Sequence, residues 1–307
     1  MKTALEFDHT VKEYSSLFPR RRVRALDDFS LSVEPGEIFG FLGPNGAGKT
    51  TAIHLAMGFM RPTDGGGHLL GKPFGNAAAH RRVGFLPENV AMYPRRAEEL
   101  VRFYGALNGM APADLRTRAA EVLTLVGLQE RRNGNVSKFS RGMVQGVGLA
   151  QAIVNDPELL ILDEPTSALD PASRVAVREL LLRMRAAGKT IFLSSHLLSE
   201  VELVCDRVAV LHRGRLVRVG KIADLLESTK RADIVARGIK PAAFPDAKAQ
   251  DGVVVFSTST ADQRAALERV WQLGGEVVSV NPQRLSLEQI FLELTGTSKP
   301  DRDGGTQ

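Results

Sequence analysis

Gly43-Pro44-Asn45-Gly46-Ala47-Gly48-Lys49-Thr50 stands between an apolar run, Ile38-Phe39-Gly40-Phe41-Leu42, and a segment from Lys49 to Met60 that reads as a helix. The octet matches glycine, four residues, then Gly-Lys-Thr, the pattern of a phosphate-binding loop. The apolar run suits a parallel strand buried on both faces. The loop therefore lies where a strand ends and a helix begins, and there the free backbone N–H groups and the positive helix end converge on one spot. Its glycines allow positive φ and let the main chain approach a phosphate that side chains would block. Lys49 adds a point charge for the outer phosphates, and the Thr50 hydroxyl suits magnesium. Thr51 extends the same candidate nucleotide contacts by one residue. A chance Gly-rich turn is the competing reading, and the flanking strand and helix count against it.

Such a loop serves many unrelated machines. A second apolar run, Leu159-Leu160-Ile161-Leu162, ends in Asp163-Glu164 and narrows the choice. In a phosphate-loop protein the first acid holds magnesium through water, and its neighbour is placed to polarise an attacking water. Asp163 is the candidate for the first role and Glu164 for the second. Two acids capping a strand end before Pro165 is the plainer alternative. Ser140 and Gly142 head an apolar helical stretch through Ile153, a second helix N-terminus available to a phosphate.

These residues, in this order, resemble the ATP-binding subunit of an ATP-binding cassette (ABC) transporter, over about two thirds of the chain. Phe139-Ser140-Arg141-Gly142-Met143 takes the place of that family's signature motif, and Ser167-Ala168-Leu169-Asp170 resembles the loop after the second acid. His196, after the apolar strand Thr190-Ile191-Phe192-Leu193-Ser194, sits where the family has its switch histidine. Phe85-Leu86-Pro87-Glu88 resembles the loop that senses nucleotide and touches the membrane partner, and Tyr14 stands where an aromatic ring stacks on adenine. Phe18 lies close enough to compete with Tyr14 for that role.

The resemblance implies ATP and magnesium as ligands. Gly43 to Thr51 and Tyr14 would contact the nucleotide from one chain, and Ser140, Arg141, Gly142 and Asp170 would complete the contacts. Thr50, Glu88 and Asp163 would serve the metal, and Glu164 and His196 the catalysis. It implies an α/β fold: a P-loop NTPase of ABC type with a parallel or mixed sheet core and a helical lobe at about 95–155. Behind it, residues 230–298 form a small C-terminal α+β domain following the ATP-binding domain 1–229, with a polar tail at 299–307 expected to be disordered. Two departures stand out. Glu88 replaces the usual glutamine, although a carboxylate is still an oxygen ligand for magnesium. The signature variant resembles one exporter branch, in which basic residues usually stand at the positions of Val144 and Gly146. Gly146 and Gly148 in a helix interior each cost about 1 kcal/mol relative to alanine.

The remaining features set bounds. A chain of 307 residues suits about two domains. One cysteine, Cys205, excludes an intramolecular disulfide and fits a reducing compartment. No uncharged apolar run approaches the roughly 20 residues that span a bilayer, and the start, with Glu6 and Asp8, does not read as a signal peptide. The expected setting is cytoplasmic, on the inner face of the cell membrane, held by integral membrane permease subunits and a second ATP-binding subunit. Scattered basic residues account for the net charge of +5 as a solvated surface. Arg20-Arg21-Arg22-Arg24 reads as an exposed loop, no nucleic-acid partner is expected, and the scattered histidines have no zinc-ligand spacing. Leu100, Phe103, Tyr104 and Leu107, then Leu115, Ala119, Val122 and Val126, have helical spacing and are expected to be core. Trp271, the one tryptophan, is expected to pack. An ATPase of a soluble nucleic-acid or ribosome-associated machine, and a module that holds ATP without turnover, are the rival readings. The absence of a second cassette or long coiled coil opposes the first, and the intact acid pair the second.

Overall fold

A computed structural model describes residues 3–15, 22–167, 169–226, 228–284 and 286–295. Phe18, Ala168 and the tail 299–307 lie outside the described residues. The chain divides into two units, residues 1–222 and 223–307, each described by itself.

The first unit begins with β1 (Leu5–Ser15), β2 (Arg22–Val33) and β3 (Ile38–Leu42), followed by helix α1 (Lys49–Ala56). Then come β4 (Asp64–Leu69), β5 (Lys72–Pro73), α2 (Ala77–His80) and β6 (Val83–Leu86). Three helices follow and form an arm: α3 (Ala97–Leu107), α4 (Pro112–Leu125) and α5 (Arg141–Ile153). The unit continues through β7 (Leu159–Asp163), α6 (Pro171–Ala186), β8 (Thr190–Ser195), α7 (Leu198–Val204), β9 (Arg207–His212) and β10 (Arg215–Lys221). A single helical turn, α8 (Ile222–Leu225), leads onward.

The central sheet has six strands in the order β10-β9-β3-β8-β7-β6. β3 pairs in parallel with β8 and β9, β7 does so with β6 and β8, and β10 is antiparallel at the edge. β3, β7 and β8 are buried at every position, which is why continuous apolar runs identify them. The register sets Leu42 beside Ser195 and Asp163 beside Ser194. The ends of three neighbouring strands thus open at one edge, the place where ligands bind in such sheets. An antiparallel sheet, β2-β1-β4-β5, covers one side. Phe7 meets Phe29 edge-on at 5.0 Å between ring centroids, and Phe29 meets Phe41 of the central sheet at 5.8 Å. Those rings join the two sheets into one core with Ile53, Leu55 and Phe192.

The second unit has β11 (Ser228–Arg237), β12 (Lys248–Gln250), β13 (Val253–Ser259), α9 (Gln263–Gln272), β14 (Glu276–Arg284) and α10 (Leu287–Thr295). Its antiparallel sheet runs β12-β13-β11-β14. Ile234, Ala236, Val254 and Phe256 form its core with Val270 of α9, and Phe244 stacks on Phe256 at 3.9 Å.

Four expectations need correction. The helix after the phosphate loop stops at Ala56, short of Met60. Gly58 takes φ 65° there, and the Gly58 and Phe59 N–H groups donate to the Leu55 and His54 carbonyls, a Schellman ending that overrides the apolar residues beyond. Phe103 and Leu107 are 53% and 64% exposed, not core. The inward face of α3 is Ala97, Leu100, Val101 and Gly105, one step round the helix, because Gly105 lets Leu115 come within 2.8 Å of where a Cβ would stand. Trp271 is 58% exposed, since α9 turns Ala266, Leu267 and Val270 inward. Arg22 and Arg24 are exposed as expected but lie in β2 and not in a loop, Arg24 pairing with Glu13 and Asp27, while Arg20 and Arg21 lie outside the described residues.

The arm meets the sheet through α5. A Cβ on Gly84 of β6 would stand 1.9 Å from the Ala152 carbonyl oxygen, and one on Gly148 would stand 2.8 Å from Leu86. Backbone therefore packs on side-chain-free strand, and Gly148 serves that approach, while Gly146 faces Leu128. Gly84→Ala should force α5 off β6 and destabilise the protein by about 3 kcal/mol, the upper end for overpacking, read as a lower urea midpoint at unchanged m-value.

Candidate nucleotide-binding site

The phosphate loop is bound to its neighbours by main chain. A Cβ on Gly43 would lie 2.6 Å from the Leu211 carbonyl oxygen, and one on Gly48 2.4 Å from that of Ala25. Gly46 and Gly48 take φ 79° and 113°, which L side chains rarely adopt. The Gly214 N–H donates to the Ala47 carbonyl at 2.8 Å, tying the β9–β10 turn to the loop. Lys49 is buried at the start of α1 and donates from Nζ to the Gly43 carbonyl at 2.6 Å. Burial pushes its ammonium below the usual lysine value, while Glu164, Asp163 and Glu88 pull it back up.

One cleft gathers Pro44 to Thr51 with Ala25, Glu88, Asp163, Glu164 and His196. Thr50 Oγ1 donates to Asp163 Oδ2 at 3.2 Å, and the buried Ser194 hydroxyl donates to Asp163 Oδ1. Glu164 sits one residue past β7 with φ 51°, a conformation that is costly for glutamate and recurs at functional sites. Its N–H donates to the Ser194 carbonyl at 3.1 Å. Its Oε2 lies 2.7 Å from His196 Nδ1 and accepts the His196 N–H at 3.4 Å. Tyr14, at the end of β1, has an exposed ring, and its hydroxyl lies 3.4 Å from Thr51 Oγ1. The Thr50 hydroxyl and the Asp163 and Glu88 carboxylates are hard oxygen donors, which fits magnesium held by few protein ligands and completed by phosphates and water. Among the described residues no cluster of three or more His, Cys, Asp or Glu could hold a metal by itself.

The other predicted contacts lie elsewhere. Ser140 caps α5, its Oγ accepting the Met143 N–H at 3.3 Å, and Asp170 caps α6, accepting the Ser173 N–H at 3.0 Å. That bond and the Ser173 hydroxyl hold the Asp170 carboxyl below the usual aspartate value. Ser140, Gly142 and Asp170 line a separate hollow between α5 and α6. Arg141 lines a small depression with Glu88 and Ser167.

A sequence profile of the ABC transporter family matches residues 26–167. An ABC transporter ATP-binding protein of Synechocystis sp. is 39% identical over 278 residues, which is 89% of this chain and 78% of that relative. The chain belongs to the ABC transporter ATP-binding family. It is an ATP-binding subunit and an ATPase. A Nod factor export ATP-binding protein I of Paraburkholderia xenovorans is 34% identical over 98% of this ABC ATPase and 99% of its own length. The solved structure of cbiO1 from Clostridium perfringens, part of the ABC transporter complex cbiONQ, superposes with a TM-score of 0.63 at 27% identity, covering 73% of this chain and 90% of that one. These relatives favour the transporter reading over the nucleic-acid machine. Among the described residues no helix is long and apolar enough to cross a membrane.

Ser194 and Ala25 belong to the site and were not singled out in the sequence. Ser194 closes the apolar run 190–194, and a hydroxyl in so buried a strand needs a hydrogen-bond partner, which is the signal the sequence carries. Ser194→Ala in this ABC ATPase should cost about 1–3 kcal/mol in urea unfolding, because a buried carboxylate oxygen loses its donor.

Proposed function

We propose that this ABC ATPase works as a head-to-tail dimer in the cytoplasm, powering export through a separate integral membrane permease. The observation that carries the reading is the separation of the predicted contacts. Lys49, Thr50, Asp163, Glu164 and His196 converge in one cleft, while Ser140, Gly142 and Asp170 line another. A second copy could place its Ser140 hydroxyl and the α5 N-terminus over the triphosphate held by the first. Export is supported by the names of relatives, Nod factor export and linearmycin resistance, and a permease by the transporter complex to which cbiO1 belongs.

In this reading the loop N–H groups and Lys49 bind the outer phosphates, and Tyr14 stacks on the base. Thr50, Asp163 and Glu88 would hold magnesium, which would supply neutralisation of phosphate charge. Glu164 accepts a proton from the attacking water as its oxygen bonds to the γ-phosphorus. The bond from that phosphorus to the β–γ bridging oxygen breaks, ADP and phosphate leave, and the proton passes to solvent. His196 orients the Glu164 carboxylate from 2.7 Å, the base–orienter arrangement that keeps a general base aimed. The open face of the helical arm, with Phe103 and Leu107 exposed, offers apolar surface to the permease.

Glu164→Gln should bind ATP, accumulate as a dimer in size-exclusion chromatography with ATP, and lose about 10²–10⁴-fold in turnover. Normal phosphate release by that variant would remove Glu164 from its role. Lys49→Ala should lose ATP affinity by at least about tenfold in equilibrium binding, since the outer phosphates lose a charge-assisted partner. Unchanged affinity would count against the cleft as the nucleotide site.

A further inference from the structure

Gln145 lies on α5, five residues past the Ser140 cap, and is only 7% exposed. A buried primary amide is held in place by its hydrogen bonds, so where they go carries information. Its Nε2 donates at 3.3 Å to the carbonyl of Pro165, in the residue immediately after Glu164. Proline has no N–H to give, and Glu164 already stands at φ 51°. Around it, the Glu164 N–H donates to the Ser194 carbonyl, and the Glu164 carbonyl accepts the Ser167 hydroxyl at 3.2 Å. Gln145 thus supplies the tie from the helical arm to a strained peptide whose turn sets the direction of the Glu164 side chain. The same side chain borders the depression shared by Glu88 and Ser167, so it stands where α5 meets the segments that carry Glu88 and Ser167.

We infer that Gln145 is a positioning residue: it couples the placement of α5, whose N-terminus carries Ser140, to the aim of the Glu164 carboxylate in the same chain. This deepens the proposed function, on which it rests. A helix is stiff over the rise of about 1.5 Å per residue that separates Ser140 from Gln145, so a shift at the cap arrives at Pro165 undiminished. In a head-to-tail dimer, Ser140 touches the nucleotide of the second chain. The Gln145 bond then makes hydrolysis in one site depend on occupancy of the other. Gln145 touches no reacting atom, so its removal should leave ATP binding intact and weaken only the step that needs Glu164 in register.

The test uses the full chain and steady-state ATPase measurement, with thermal melting alongside. Gln145→Met keeps length and loses the donor, and Gln145→Glu keeps length and turns an acceptor toward the Pro165 carbonyl. Both should lower kcat by about tenfold, leave KM for ATP within about twofold, and flatten the ATP dependence toward a Hill coefficient of one. Loss of kcat with KM and melting unmoved supports the inference. An unchanged kcat in either folded variant overturns it. So does a fall in kcat that tracks a lower melting temperature or a rising KM, because that is the mark of a merely structural contact. Should Gln145→Met fold poorly, Gln145→Glu alone decides by the same readings. If Glu164→Gln stays active, the proposed function has failed. If Glu164→Gln is inactive while Gln145→Met turns over normally, only this inference has.

Discussion

The site depends on backbone packed directly against backbone. Between the phosphate loop and its two flanking segments there is no room for a side chain, as the distances at Gly43 and Gly48 show. The contacts behind the loop continue that pattern: the Asp27 N–H donates to the Gly214 carbonyl at 2.9 Å, while the Gly214 N–H donates to Ala47. A loop wedged between carbonyls of β2 and β9 has its N–H groups aimed before any phosphate arrives. Such preorganisation spares the binding step the ordering entropy of a mobile loop. Outside that wedge, Asp27 is gripped by Arg24 at 2.7 Å and by Arg215 at 2.5 Å, joining the two segments that brace it. These arginines are half or more exposed, so screening by water and salt keeps their share small beside the main-chain contacts.

Sheet order does the remaining assembly. Parallel pairing of β3, β8 and β7 brings residues more than a hundred positions apart to one edge, and Thr50 reaches Asp163 across that edge. What could be read from the sequence follows this division. β3, β7 and β8 are buried on both faces, so each leaves an unbroken apolar run next to the residue it delivers. The glycine punctuation of the phosphate loop is equally plain, because the φ values it needs exclude other residues. β1 and β2 left a weaker trace. Their register shifts between Phe7 and Thr10, with His9 and Asp28 at φ 42° and 50°, and a bulge of that kind breaks the two-residue alternation by which strands are recognised. The sequence also misassigned side chains that sit beside an inward face. Phe103, Leu107 and Trp271 are one step away from the residues that pack, and spacing alone does not say which of two adjacent stripes turns inward. Gln145 escaped notice for a different reason: a polar residue in an apolar helix shows its use only when its partner, a carbonyl twenty residues on, is in view.

The charges in the cleft bear on the proposed pairing of two chains. Glu88, Asp163 and Glu164 face a single ammonium, that of Lys49, in the space a triphosphate would enter. Formally the acids outnumber the cation, so bringing further negative charge there needs compensation from a bound cation and from donors outside the loop. In the proposed function, magnesium held by Thr50 and Asp163 would answer part of that need. The rest has to come from groups with no negative charge of their own, and the hollow beside α5 has them. There the Ser140 oxygen already accepts the Met143 N–H, which leaves its hydroxyl proton free to donate outward along the positive end of the helix. Within one chain that donor lines a different hollow from the cleft that lacks it. In the proposed head-to-tail dimer, a second copy would supply each cleft with what it is short of, and the pairing would then depend on the anionic nucleotide filling the seam.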